Sequence, residues 1–180
     1  VAPPVKKAFY FKELAERVIS LTREQSAMNG AVCTYEELSE DIILYADEGQ
    51  ITQILINLVK NAVQADARNI TITAQLTPSE QTIINVTNDG LPISRESQDE
   101  IFVPFFTTKQ EGEIVVTVAD NGIGILPEVL DKIFIPFFTT KPTGSGIGLS
   151  LSRQIMRLHN GTLSLTRSDA SSTVFTLIFK

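Results

Sequence analysis

The chain has 180 residues, about one domain with a surplus. Its 43% hydrophobic and 20% charged residues exclude a disordered chain, and 15 Lys and Arg against 21 Asp and Glu, a net charge of -6, speak against a nucleic-acid surface. A single cysteine, Cys33, excludes an internal disulfide or cysteine metal cluster, a single histidine, His159, excludes a multi-histidine site, and no apolar run is long enough to cross a bilayer. The opening Val-Ala-Pro-Pro-Val carries neither Met nor a signal-peptide pattern, so the sequence is expected to be a piece of a longer protein, with residues 1–10 a linker remnant. Phe11, Leu14, Ala15, Val18 and Leu21 predict an amphipathic helix over 11–24. Ile42–Tyr45 predicts a short strand, and Asp47 an N-cap for a helix over 48–65 with Ile51, Ile54, Leu55, Leu58 and Ala62 on its apolar face. Strands over 70–76 and 82–87 flank Thr77-Pro-Ser-Glu80, a hairpin signal, and 114–118 reads as a further strand. A helix over 147–158 ends at Asn160-Gly161, a left-handed cap pair, and two closing strands follow over 162–166 and 173–179. The expected fold is an α/β two-layer sandwich, a mixed and mostly antiparallel sheet with helices on one face.

The surplus is a repeat. Residues 81–112 and 113–144 align at a constant offset of 32 without a gap, with fourteen identities. Ile101-Phe-Val-Pro-Phe-Phe-Thr-Thr-Lys109 returns as Ile133-Phe-Ile-Pro-Phe-Phe-Thr-Thr-Lys141. Two copies are too few for a solenoid, so this is a duplicated segment inside one domain spanning 11–180.

Four groups of residues carry chemistry. The helix over 48–65 bears an uncharged polar stripe of Gln50, Gln53, Asn57, Asn61 and Gln64, where a solvated face normally carries Lys, Glu and Arg. Asn57 and Asn61 lie one turn apart, a spacing whose carboxamide oxygens suit Mg²⁺ or, alternatively, hydrogen bonds to a neighbouring loop. Asp120-Asn-Gly-Ile-Gly124 follows the strand over 114–118: the carboxylate suits an exocyclic amino group, while Gly122 and Gly124 admit a flat ligand; the alternative is a tight turn. The first copy reads Asn88-Asp-Gly-Leu-Pro92, with its carboxylate displaced by one residue and Pro92 in place of the second glycine. Gly144-Ser-Gly-Ile-Gly-Leu149 opens a helix and offers amides to a phosphate, or serves as a hinge; it is neither a Walker A loop nor a Gly-x-Gly-x-x-Gly motif. The paired Phe-rich segments read as core or ordered loop, and Lys141 lies three residues before Gly144, within reach of a phosphate as a point charge. His159 reads as a helix-end histidine near the C-terminal dipole, not a catalytic group.

In their order along the chain, these motifs resemble the catalytic ATP-binding domain of bacterial sensor histidine kinases, in the superfamily shared with gyrase, Hsp90 and MutL. The resemblance runs from about residue 8 to the end. Leu55–Val63 looks like the N box, Asp120–Gly124 like the G1 box, Phe134–Phe138 like the F box and Gly144–Leu149 like the G2 box. The resemblance implies a Bergerat-type sandwich with ATP and Mg²⁺ as cofactors: Asn61 would ligate the metal with Asn57 in support, and Asp120 would bind the adenine amino group. Gly122, Gly124, Lys141, Gly144, Gly146, Gly148 and Leu149 would border the nucleotide, and Thr173, preceded by serine instead of the usual glycine, would sit near the base. It further implies transfer of the γ-phosphoryl group to a histidine on a separate helical hairpin, then to a response regulator, in the cytoplasmic portion of a membrane-bound sensor.

Two departures from the family pattern stand out. Gln64 replaces a basic residue of many relatives, and the G1–F-box segment occurs twice. Only the second copy keeps its aspartate and runs directly into the glycine loop, so nucleotide is expected to use that copy. The first is expected to keep its hairpin with 70–76 or to bulge out, and the extra strand to pair at an edge or in a swapped dimer. The alternative is a non-catalytic partner-binding module whose duplicated segment blocks the site. A hydrolase is disfavoured, because Asn57 stands where hydrolytic relatives place a glutamate and cannot serve as a base.

Overall fold

The computed structural model describes residues 1–99, 101–102 and 147–180. In chain order these form β1 (Lys7–Tyr10), α1 (Phe11–Met28), β2 (Val32–Glu37), β3 (Ile43–Ala46), α2 (Glu48–Gln64), β4 (Asn69–Leu76), β5 (Thr82–Asn88), a 3₁₀ turn at Arg95–Ser97, α3 (Gly148–Leu158), β6 (Thr162–Ser168) and β7 (Thr173–Phe179). A five-stranded sheet runs β2-β4-β5-β7-β6, parallel at β2–β4 and antiparallel elsewhere, while β1 and β3 pair as a separate ribbon. This is the expected mixed, mostly antiparallel sandwich.

The helices lie on one face because each carries a single apolar stripe. Phe11, Leu14, Ala15 and Val18 of α1, Ile51, Ile54, Leu55 and Leu58 of α2, and Leu151, Ile155 and Met156 of α3 form one core with Ile70, Ile72, Ile84, Val86, Phe175 and Leu177 of the sheet. Asp47 caps α2 as its sequence predicts, its side chain accepting from the Gln50 N–H at 3.0 Å. Lys7 and Arg17 each meet Glu48 at 2.8 Å, tying β1 and α1 to the first turn of α2. At the far end of α3, Asn160 has φ +56° and the Gly161 N–H returns to the Met156 carbonyl at 2.9 Å, the left-handed stop expected there.

Some expectations are corrected. Leu21 points outward, 62% exposed, because α1 continues to Met28 and turns Thr22 and Ser26 inward instead. Residues 7–10, inside the stretch read as a linker, form β1. The first copy keeps its hairpin with β4, but its strand is central: β4 lies on one side of β5 and β7 on the other. The strand over 114–118 lies outside the described residues.

Candidate functional site

Helices α2 and α3 meet where two of the polar positions come together. The Asn57 carboxamide nitrogen donates to the Gly148 carbonyl at 3.4 Å and to the fully buried Ser152 hydroxyl at 3.3 Å. A Cβ on Gly148 would stand 3.5 Å from the Asn57 carboxamide carbon, so the missing side chain lets the helices approach without making alanine impossible. Asn61 is half-buried one turn further along α2. Ile147 occupies the cap position of α3, and its side chain makes no cap hydrogen bond, so among the described residues the first amides of the helix are uncapped. Uncapped amides and the helix dipole suit an anion. Leu149 packs half-buried against the core.

The sheet holds a further expected site position in a cross-strand pair. Asn88, last residue of β5, stands in register with Thr173, first residue of β7; the two are 5% and 3% exposed. The Thr173 hydroxyl lies 3.2 Å from that of Ser168, which accepts the Ile93 N–H at 2.8 Å. The Asn88 side-chain oxygen accepts from the Gly90 N–H at 3.0 Å. At the 32-residue offset Asn88 corresponds to Asp120.

The displaced carboxylate of the first copy is spent on structure. Asp89 accepts from the backbone N–H groups of Asn69 and Arg68 at 2.9 and 2.7 Å and from the Asn69 carboxamide at 2.8 Å, bonds that hold its carboxyl below the usual range. The Leu91 N–H donates to the Ala65 carbonyl at 2.7 Å, and a Cβ on Gly90 would stand 2.5 Å from that oxygen. Only glycine fits this turn against the end of α2.

His159 is likewise committed. It is 7% exposed; its Nδ1 lies 2.8 Å from the Ile155 carbonyl, and its Nε2 accepts from the Asp47 N–H at 3.0 Å. Of the site residues expected from sequence, Asn57, Asn61, Gly148, Leu149 and Thr173 are described, and Asn57 and Gly148 touch. Asp120, Gly122, Gly124, Lys141, Gly144 and Gly146 lie outside the described residues. Ser152 and Ser168 were not singled out from sequence; a small residue one turn after Gly148 on the inward side of α3 is the signal for Ser152.

The donor chemistry fits Mg²⁺: the Asn61 carboxamide would supply one neutral hard oxygen, and the described residues hold no group of three His, Cys, Asp or Glu side chains that would bind a metal by themselves. Among the described residues, the amides at the start of α3 can receive an anion, and Asn57, a carboxamide, is no base for activating water.

Comparison with known proteins agrees with this fold. The family described as "Histidine kinase-, DNA gyrase B-, and HSP90-like ATPase" matches twice, over residues 46–113 and 108–180. The chain is 31% identical over 136 residues to the sensor histidine kinase ZraS of Salmonella typhi, covering 74% of this chain and 22% of that protein. It is 29% identical over 176 residues to sporulation kinase A of Bacillus subtilis, covering 97% and 24%. The chain thus spans less than a quarter of the length of these relatives. Among solved structures, the nucleotide-free catalytic domain of histidine kinase ThkA superimposes with a TM-score of 0.69 at 28% identity, covering 97% of this chain and 94% of that one. ThkA in complex with the response regulator TrrA gives 0.67 at 26% identity, covering 97% and 41%.

Proposed function

The chain belongs to the histidine kinase-, DNA gyrase B- and HSP90-like ATPase family, and on that premise we propose that it is the ATP·Mg²⁺-binding catalytic domain of a two-component sensor histidine kinase. The observation that carries the reading is the Asn57–Gly148 contact, which joins the asparagine helix to the glycine-led helix at an uncapped N-terminus. In this reading α3 and the glycines Gly144, Gly146 and Gly148 border the triphosphate with Leu149, and Lys141 adds a point charge. Asp120, Gly122, Gly124 and Thr173 receive the base, and Asn61, supported by Asn57, holds Mg²⁺. The metal supplies neutralisation of phosphate charge; the protein supplies position.

The γ-phosphoryl group goes to a histidine on a helical hairpin outside this sequence, and from there to an aspartate of a response regulator, as the ThkA–TrrA pairing suggests by analogy. His159 is not that acceptor, since both ring nitrogens are engaged in the core. The domain would work in the cytoplasmic portion of a membrane-bound sensor. A swapped dimer through the duplicated segment is the oligomeric form to check, by light scattering.

A second reading draws on Asn88: the strand built into the sheet bears a carboxamide where the family carries a carboxylate, as in a partner-binding module that takes no nucleotide. Calorimetric titration with ATP·Mg²⁺ separates the two. The kinase reading expects binding that Asp120→Asn weakens at least 10-fold and Asp89→Asn does not weaken; no binding by the unaltered chain overturns it. Isolated, the chain is expected to form no acid-labile phosphohistidine and to hydrolyse ATP negligibly.

A further inference from the structure

The sheet has one slot between β4 and β7, and the chain carries two segments that fit it. The first copy fills it with more than a strand. Ile84 and Val86 are buried on the helix-covered face, and Ile101 joins the core. Phe102 stacks edge-on against Phe175, centroids 6.4 Å apart, beneath the Arg153 guanidinium at 4.2 Å from its ring. Thirty-two residues on, the same positions read Val116, Val118, Ile133 and Phe134, each apolar and of similar or equal size. Two buried positions change in kind: Thr82 becomes Ile114, and Asn88, at the base position, becomes Asp120. The family match divides at the same seam, its first part ending at 113 and its second beginning at 108.

We propose that the two copies are alternative occupants of this slot, so that the chain regulates its own nucleotide site. With residues 82–88 seated, the base position carries Asn88, whose oxygen already accepts from Gly90 and whose remaining polar group is a donor, mismatched to an exocyclic amino group. With residues 114–120 seated, it carries the Asp120 carboxylate, an acceptor. The inference rests on the ATP reading given above. Nucleotide therefore selects the second arrangement, and its apparent affinity is reduced by the fraction of chains that hold the first.

Chain connectivity sets the balance. The first copy follows β4 through residues 77–81, whereas seating the second requires a loop of about 37 residues; loop closure favours the first about 20-fold. The connection to α3 shortens from about 59 to about 27 residues when the second copy is seated, which returns about 3-fold. The first arrangement is left ahead by about 6-fold on chain entropy, a gap that a ligand binding only the other arrangement closes readily.

The test locks the first copy in place. Thr87 and Val174 are cross-strand partners on the half-buried face, so Thr87→Cys with Val174→Cys in a Cys33→Ser background permits a disulfide between β5 and β7. Titrated with ATP·Mg²⁺, the oxidised chain is expected to bind at least 10-fold more weakly than the same chain after reduction. Gly90→Ala provides an independent arm, because its Cβ would stand 2.5 Å from the Ala65 carbonyl only when the first copy is seated. That substitution should raise ATP affinity by up to about 7-fold. Equal affinity in the oxidised and reduced forms, with binding still dependent on Asp120, overturns the exchange and leaves the ATP reading standing. No ATP binding in any form overturns both.

Discussion

The backbone N–H of Asp47 donates to Nε2 of His159 at 3.0 Å, linking the N-cap of α2 to the end of α3 across 112 residues of sequence. With Nδ1 facing the Ile155 carbonyl at 2.8 Å, the imidazole satisfies one donor and one acceptor, the pattern of the neutral Nδ1–H tautomer. Removing it strands the Asp47 N–H and opens a hole between two helices that both contribute to the site. His159→Ala is expected to cost about 1–3 kcal/mol, and His159→Gln less, since a carboxamide oxygen can still accept. Thermal unfolding would show the alanine variant lower by about 3–8 °C; an unchanged midpoint would show that the bond does not hold the two helices together.

Acid sensitivity follows from two carboxylates that serve as backbone acceptors. Asp47 is held below the usual range by the N–H of Val5, then by that of Gln50, and Asp89 by the backbone and side chain of Asn69. A carboxyl whose folded pKa is depressed contributes stability that is complete above its unfolded value of about 4 and is lost as pH falls through the folded one. Asp89→Asn should therefore cost about 1 kcal/mol at pH 7, a modest figure because the side chain is exposed, and less at about pH 3, below the unfolded value. Urea unfolding at both pH values decides it, and an equal cost at each would rule out the linkage.

Cys33 lies half-buried on β2, and burial pushes its thiol up to about 11. The thiolate is the reactive form, so alkylation at pH 8 should be slowed on the order of 100-fold against the unfolded chain. Mass spectrometry of iodoacetamide-treated native and urea-unfolded protein gives the comparison. Similar rates would place the thiol in water.

How much of this was legible in sequence depended on the pattern each segment carries. Helix α2 announces itself through Asp47 and its apolar stripe, and the β4–β5 hairpin through alternation around Thr77–Glu80, because both bury one face against a core. Strand β2 gives no such signal: at the sheet edge, its residues alternate only between exposed and half-buried, and Val-Cys-Thr-Tyr-Glu-Glu shows no clean apolar face. Strand β1 is four residues long and follows a Pro-Pro pair, so its pairing with β3 is a tertiary fact. At the site, the Asn57–Asn61 spacing and the glycines before α3 could be read locally. The contact of Asn57 with Gly148, 91 residues away, and the facing of Asn88 and Thr173 could not, because each depends on how distant segments pack.

Gly148 separates the needs of the fold from those of the ligand. An added Cβ would meet the Asn57 carboxamide carbon at 3.5 Å and its nitrogen at 3.6 Å, ordinary van der Waals contact. Alanine also has less backbone freedom to lose at the start of a helix. Gly148→Ala should thus leave the unfolding free energy unchanged or raise it by up to about 1 kcal/mol. Bordering the triphosphate, the same methyl group would crowd the phosphates that approach the uncapped amides of α3, and ATP·Mg²⁺ affinity should fall at least 10-fold. Paired urea unfolding and nucleotide titration on one preparation test both halves. A stable variant with unaltered affinity would move the phosphates away from α3, whereas a destabilised variant would mean that the helices cannot accommodate the methyl group that the Asn57–Gly148 spacing leaves room for.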